Sequence, residues 1–264
     1  MTRKWTPRAL RLGVWLSALL AVAVGLASAD STVFRYADAY AKLLEKHTEA
    51  VHTKVGTRVD YSRLRTDPAW KAMLAELRAV DPAGLKTREE QLAFWINTYN
   101  ILAIDLVLNH YPVESIKDIG SLFRSVWKVE AGRIAGRDYS LDEIEHQIIR
   151  PMHEPRIHAA IVCASISCPN LLREPYVAER LDEQLDASFR AWLMRPEKGL
   201  LVDRVGSALR ISPIFEWFED DFGGRAEVLV FVARYAPRAD AAWIREQGFD
   251  VKVDYLDYDW RLNQ

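Results

Sequence analysis

"EEQLAFWINTYNILAIDLVLNHY" (Glu89–Tyr111) is the stretch on which the fold turns. Its middle is apolar almost all the way round a helix, which is the pattern of a helix buried at the centre of a domain and not of one lying on its surface. Thr87-Arg88-Glu89-Glu90 opens it as a capping box, and Pro112 closes it. Asn97 and Asn100, three apart, share one face of this helix. A buried amide without partners costs about 1–3 kcal/mol. The pair therefore either ties neighbouring loops to the helix or faces a bound molecule.

Upstream, Phe34, Ala37, Tyr40, Leu44, Ala50 and Val51 recur at near-helical spacing and predict an amphipathic helix over Val33–Val51. "TRVDYSRLRTD" (Thr57–Asp67) reads as extended, and Asp67-Pro68 caps a short helix running to Val80. Downstream, "VWKVEAGRIAGRDYS" (Val126–Ser140) reads as a hairpin turned at Ala131-Gly132. Ser140 and Glu143 form a second capping box for "LDEIEHQIIR" (Leu141–Arg150), which stops at Pro151. "RIHAAIVC" (Arg156–Cys163) has the length of a buried strand, with "ASISCPNLLREPY" (Ala164–Tyr176) as its exit loop.

An amphipathic helix (Val177–Met194), a hairpin (Gly199–Ser212), an aromatic helix "IFEWFEDDF" (Ile214–Phe222) closed by Gly223-Gly224, two further helices and a last strand within Asp250–Trp260 complete the chain. Long helices with scattered hairpins predict a single compact α+β domain.

Arg3, Lys4, Arg8 and Arg11 precede an apolar run from Leu12 to Leu26 that ends in Ala27-Ser28-Ala29. This is the layout of a secretory signal over residues 1–29, cut before Asp30, and it places residues 30–264 in the periplasm or outside the cell. An uncleaved anchor is the alternative, and only that would put the protein on a membrane. Removing the leader leaves 31 Lys and Arg against 37 Asp and Glu, a net charge of about −6. Such an acidic chain without a basic run is a poor partner for nucleic acid.

The two cysteines, Cys163 and Cys168, lie in "IHAAIVCASISCPNLL" (Ile157–Leu172). An even pair in an exported chain is usually oxidised, and closing so short a loop contributes only about 2 kcal/mol. A disulfide, a reactive thiol and a metal site are the three readings. The last would need two imidazoles from His146, His153 or His158, and no C-x-x-C spacing supports it. On a regular strand His158 and Cys163 point to opposite faces, so a bulge or an early strand end is needed to pair them. His146 shares a helix face with Glu143 and Arg150, which would fix its charge and tautomer. Glu216, Glu219, Asp220 and Asp221 could bind a cation or act as paired carboxylates, but the reading preferred is the solvated side of the aromatic helix.

"VDYSRL" (Val59–Leu64), "FWINTYN" (Phe94–Asn100), "YPVESIKDIG" (Tyr111–Gly120), "LDEIEHQIIR" (Leu141–Arg150), "RIHAAIVCASISCPNL" (Arg156–Leu171), "IFEWFEDDF" (Ile214–Phe222) and "YDWRLN" (Tyr258–Asn263) occur in that order. Together they resemble the domain of unknown function 547 family over nearly all of the mature chain. The resemblance implies signature positions at Asn97, Tyr99, Asn100, Glu145, His146, Cys163, Ser165, Ser167, Cys168 and Pro169. Ala159 follows His158 where many members place an aromatic, a departure that bears on how His158 is packed.

Two functions follow. In the first, favoured by the convergence of thiol, imidazoles, hydroxyls and amides, the protein is a thiol-dependent hydrolase or acyl transferase. Cys163 is its nucleophile, His146 or His158 the base and Glu145 or an Asn the orienter, while Asn97, Asn100 and Ser167 offer donors to an oxyanion. In the second it is a non-enzymatic binding module: a Cys163–Cys168 disulfide holds the loop carrying Ser165 and Ser167 over a pocket for a small molecule or an envelope component. A pair that cycles between oxidised and reduced lies between the two, although C-x4-C is not thioredoxin-like spacing. No metal is assigned, and nothing in the composition suggests an organic cofactor.

Overall fold

The computed structural model describes residues 29–121, 124–248 and 251–264, and the apolar leader run lies outside the described residues. The chain enters through α1 (Ala29–His47), pairs β1 (Thr48–Ala50) with β2 (Thr57–Val59) antiparallel, and makes one turn, α2 (Tyr61–Leu64). The first helix thus ends four residues earlier than its apolar spacing predicts, and the extended reading holds only to Val59. Asp60 ends it by accepting the N–H of Arg63, which starts α2. Then come α3 (Pro68–Arg78), capped by Asp67 as expected, and α4 (Arg88–His110).

Both halves of the Thr87/Glu90 capping box are made: Glu90 N–H donates to Thr87 Oγ1 at 3.1 Å, and Thr87 N–H to Glu90 Oε2 at 3.0 Å. Every residue of α4 from Leu92 to Leu108 is buried. By length and composition it would cross a membrane, yet here it is the core helix of the fold. Helices α1 and α3 pack on each other, and the hairpin of β3 (Glu130–Ile134) and β4 (Arg137–Ser140) lies against α4. That hairpin turns at Ala135-Gly136, with φ of 48° and 81°, and not at Ala131-Gly132. Gly132 is needed for another reason: a Cβ there would stand 2.5 Å from Leu102 Cδ2 on α4.

The helix α5 (Leu141–Glu143) starts on the Ser140 cap but continues as a π-helix over Ile144–Ile149. Such wide turns re-aim side chains, and they concentrate at functional sites. The predicted strand Arg156–Cys163 does not form; Pro155–Ala159 is a 3-10 turn followed by irregular chain. An apolar run of that length cannot by itself separate a buried strand from a buried loop. The tertiary structure decides, because Asn100 and not a neighbouring strand satisfies the backbone: its Nδ2 donates to Ala160 O at 2.9 Å, and its Oδ1 accepts Val162 N–H at 2.7 Å.

Helix α6 (Leu181–Leu193) joins two hydrophobic cores, placing Leu181 and Leu185 in the one built on α4 and Phe189, Trp192 and Leu193 in the second. The second core lies among the sheet of β5 (Leu200–Asp203), β6 (Ala208–Ile211) and β7 (Lys252–Tyr255) and the helices α7 (Ile214–Trp217), α8 (Arg225–Tyr235) and α9 (Arg238–Glu246). β5 and β6 form the predicted hairpin, and β7 joins β6 in parallel. Trp192 and Phe215 stack at 4.9 Å in its centre.

The C-terminal segment then returns to the first core. Asn263 N–H donates to Ala164 O and Ile166 N–H to Arg261 O, while Val59 N–H donates to Asn263 O. These bonds tie the cysteine loop to the C-terminal segment, which is bonded in turn to β2.

Candidate functional site

A cleft of about 160 Å³ opens between the two cores. Tyr99 of α4, Glu145 and His146 of the π-helix, His158 of the 3-10 turn and the sulfurs of Cys163 and Cys168 line one side, facing Trp217, Phe218, Tyr258 and Trp260. A wider groove of about 380 Å³ runs past Thr48, Arg58 and Tyr111. The two histidines with shifted pKa values, His146 and His158, and the Glu145 carboxyl raised by burial nevertheless line the smaller cleft, which marks it as the candidate site.

His158 is 2% exposed. Its ring stacks on Phe218 at 4.2 Å, and its Nε2 lies 2.7 Å from Asp221 Oδ2. Asp221 also receives Arg150 through both carboxylate oxygens, at 2.6 and 2.8 Å. Burial alone would raise the Asp221 carboxyl, but the hydrogen bonds from His158 and Arg150 reverse that and hold it well below the usual carboxylate range. Burial lowers His158 against the opposing pull of Asp221, so the neutral ring donates Nε2–H to an ionised carboxylate.

Arg150 Nη1 lies 3.0 Å from His146 Nδ1. A guanidinium only donates, so this nitrogen accepts and the His146 proton sits on Nε2. Burial, first, and then Arg150 lower the pKa of this histidine, while Asp142 opposes them. The expected partner Glu143 is not beside it: Glu143 pairs with Arg137, and Asp142 approaches Nε2 at 3.7 Å.

Glu145 completes the polar floor. It accepts the Tyr99 hydroxyl at 3.2 Å, and burial pushes its carboxyl up to about 7 against that bond. A carboxyl raised in this way is a candidate for proton exchange in the cleft.

Cys163 and Cys168 are joined as a disulfide. Among the described residues no hydrogen bond links an imidazole to either sulfur; their partners are Ser165, Tyr258 and, for Cys168, the Cys163 N–H. The expected oxyanion donors are committed elsewhere. Asn97 Nδ2 donates to Tyr176 O at 2.7 Å and its Oδ1 accepts Tyr176 N–H at 2.9 Å, while Asn100 holds Ala160 and Val162. Ser167 Oγ accepts Asp259 N–H at 2.8 Å. The structure thus brings Cys163, Cys168, Glu145, His146 and His158 to one cleft, with Ser165 behind the sulfurs, and it uses Asn97, Asn100 and Ser167 as ties. Among the described residues no group of three or more His, Cys, Asp or Glu side chains is placed to hold a metal ion.

Sequence reasoning missed Asp221, which it assigned to a solvated face, and Lys198, which it did not single out. Lys198 is 1% exposed and donates to Cys168 O at 2.7 Å and Val55 O at 2.8 Å. Burial pushes its ammonium down to about 7. The aromatic wall was missed as well. Trp217 and Trp260 lie parallel at 5.8 Å, and Tyr258 packs on both.

Comparison with family models matches residues 82–193 to a family described as "Protein of unknown function, DUF547". This segment is similar to that family. Comparison with curated proteins and with solved structures gave no significant match. The DUF547 segment supplies Tyr99, Glu145, His146, His158 and both cysteines. Trp217, Phe218, Asp221, Tyr258 and Trp260 come from beyond it, so the aromatic wall and the carboxylate partner of His158 are contributed by the C-terminal part of the chain.

Proposed function

We propose that this chain is an exported binding module that holds a small molecule in the cleft between the DUF547 segment and the C-terminal aromatic wall. The observation that carries the reading is the pinning of the loops that form and support the cleft. Asn97 holds Tyr176, Asn100 holds Ala160 and Val162, Lys198 holds the Cys168 carbonyl, and the disulfide closes the loop between. A site ordered before its ligand arrives loses less entropy on binding. At about 160 Å³ the cleft is close to the roughly 150 Å³ of a cavity that holds a benzene-sized molecule, so the ligand, or the part of it that enters, is small. One flat apolar face would lie on Trp217 and Trp260, and a polar end would meet Glu145 and His158. Export and an oxidised pair belong together, since disulfides persist outside the cytoplasm.

The thiol-hydrolase alternative applies only to the reduced protein, because a disulfide sulfur is not a thiolate. The test is a titration of the purified, oxidised protein with panels of monosaccharides, amino acids and small carboxylic acids, read by tryptophan fluorescence. A ligand of the cleft is expected to bind at least tenfold more weakly to Trp217→Ala and to Glu145→Gln, with both variants shown to be folded by circular dichroism. Binding that is indifferent to both substitutions would place the ligand elsewhere and end this reading.

A further inference from the structure

The disulfide is surrounded unequally. Cys163 is partly exposed at the cleft, whereas Cys168 is 2% exposed. Three donors nonetheless converge on the buried sulfur, Cys163 N–H at 3.1 Å, Ser165 Oγ at 3.2 Å and the Tyr258 hydroxyl at 3.2 Å from Cys168 Sγ; the two hydroxyls lie 3.3 Å from each other and farther from Cys163 Sγ, at 3.3 and 3.5 Å. A neutral disulfide sulfur is a weak acceptor and gains little from three donors. A thiolate at the same place would turn them into charge-assisted bonds, roughly twice as strong as neutral ones.

The donors are also held in place. Ser165 and Tyr258 sit on the two segments joined by the bonds from Ile166 N–H to Arg261 O and from Asn263 N–H to Ala164 O, and Ser167 Oγ receives Asp259 N–H. Lys198 holds the Cys168 carbonyl from the other side. The surroundings of Cys168 are therefore built for a charge that the oxidised form does not carry.

We propose that Cys163–Cys168 is an exchange-active disulfide that takes electrons from a low-molecular-weight thiol entering the cleft, with Cys163 as the attacked sulfur and Cys168 as the leaving sulfur. A thiolate RS⁻ attacks Cys163 Sγ, the RS–Sγ bond forms as the Cys163–Cys168 bond breaks, and Cys168 departs as a thiolate into its three donors. A second RS⁻ attacks the sulfur of the first RS group, which releases RSSR and the Cys163 thiolate. The protein gains two electrons, two RSH become RSSR, and the two protons of the thiols end on the cysteines or in solvent. A lower leaving-group pKa speeds such exchange, and the three donors supply that lowering. This activity goes beyond ligand binding and does not depend on it.

The test uses the full mature protein in its native, oxidised state with 2-mercaptoethanol as the probe thiol. The reaction is quenched with acid, free thiols are alkylated, and peptides are mapped by mass. The expected product is a mercaptoethanol adduct on Cys163 with the alkyl group on Cys168. Tyr258→Phe and Ser165→Ala, which keep the fold's packing, should each slow its formation several-fold and together by about tenfold or more, and should raise the pH at which the reduced Cys168 absorbs as a thiolate at 240 nm. An adduct on Cys168, no reaction until the protein is unfolded, or unchanged rates in folded variants would each overturn the proposal. Because the probe is a thiol and the readout is covalent, failure here leaves the fluorescence titration of the cleft standing, and the converse holds.

Discussion

Replacing Asn100 by alanine isolates the device that shapes the catalytic-looking loop. Asn100 is 3% exposed, and its amide is the partner of Ala160 O and Val162 N–H, both on buried residues. Alanine leaves a carbonyl and an N–H unpaired in the interior, each costing about 1–3 kcal/mol, so the loss of stability should be about 2–6 kcal/mol. For a domain of this size that lowers the melting temperature by roughly 2–4 °C per kcal/mol. Urea unfolding of parent and variant measures it, with an unchanged slope showing that the denatured state is not the cause. Asn109→Ala is the control: Asn109 lies near the end of the same helix, exposed, and bonds only Asp105 at 3.1 Å, so its loss should be about 0.5 kcal/mol or less. If Asn100→Ala costs no more than the control, the loop is held by its apolar contacts and the amide is not its organiser.

Three further outcomes follow from the buried charges. Glu145 has a folded pKa of about 7, above its ordinary value, so the stability linked to its protonation is present below about 4.5 and is lost as pH rises through 7. Glu145→Gln should therefore match the parent at pH 4 and exceed it at pH 8 by up to about 3 kcal/mol, read by denaturant titration at the two pH values. Lys198 has the opposite sign: its folded pKa of about 7 lies below that of the unfolded chain, so parent stability should rise from pH 7 to pH 10, and Lys198→Met should flatten the rise while weakening the cysteine loop. Asp221→Asn deprives Arg150 and His158 of their carboxylate and should cost about 2 kcal/mol at pH 7; as pH falls through the depressed Asp221 pKa the parent loses this advantage, so calorimetry should show the two proteins converging in acid.

Much of the candidate site was legible in the sequence because its residues lie close together in the chain. Glu145, His146, His158, Cys163 and Cys168 span 24 positions, and they do reach one cleft. The roles of Asn97 and Asn100 were open in the sequence, since a loop tie and a ligand contact place the same demand on a buried amide. Asp221 could not be found that way: it stands 63 residues from His158, in a run of acids that matches a solvated helix face. Glu143 looked like the partner of His146 because residues three apart share a helix face, but Arg137 engages Glu143 and Asp142, at i−4 on the same face, takes its place.

The sequence by itself determined the central helix, its caps, the α+β class and the chemistry concentrated around the cysteines, because these rest on interactions among near neighbours: side-chain periodicity, capping boxes and proline stops. Only the tertiary structure decided that the segment before Cys163 is not a strand, that Asp221 joins His158 to Arg150, and that the C-terminal aromatics close the cleft. Each of those depends on which distant group satisfies a buried polar atom, and that choice is made by the packing of the two cores against each other.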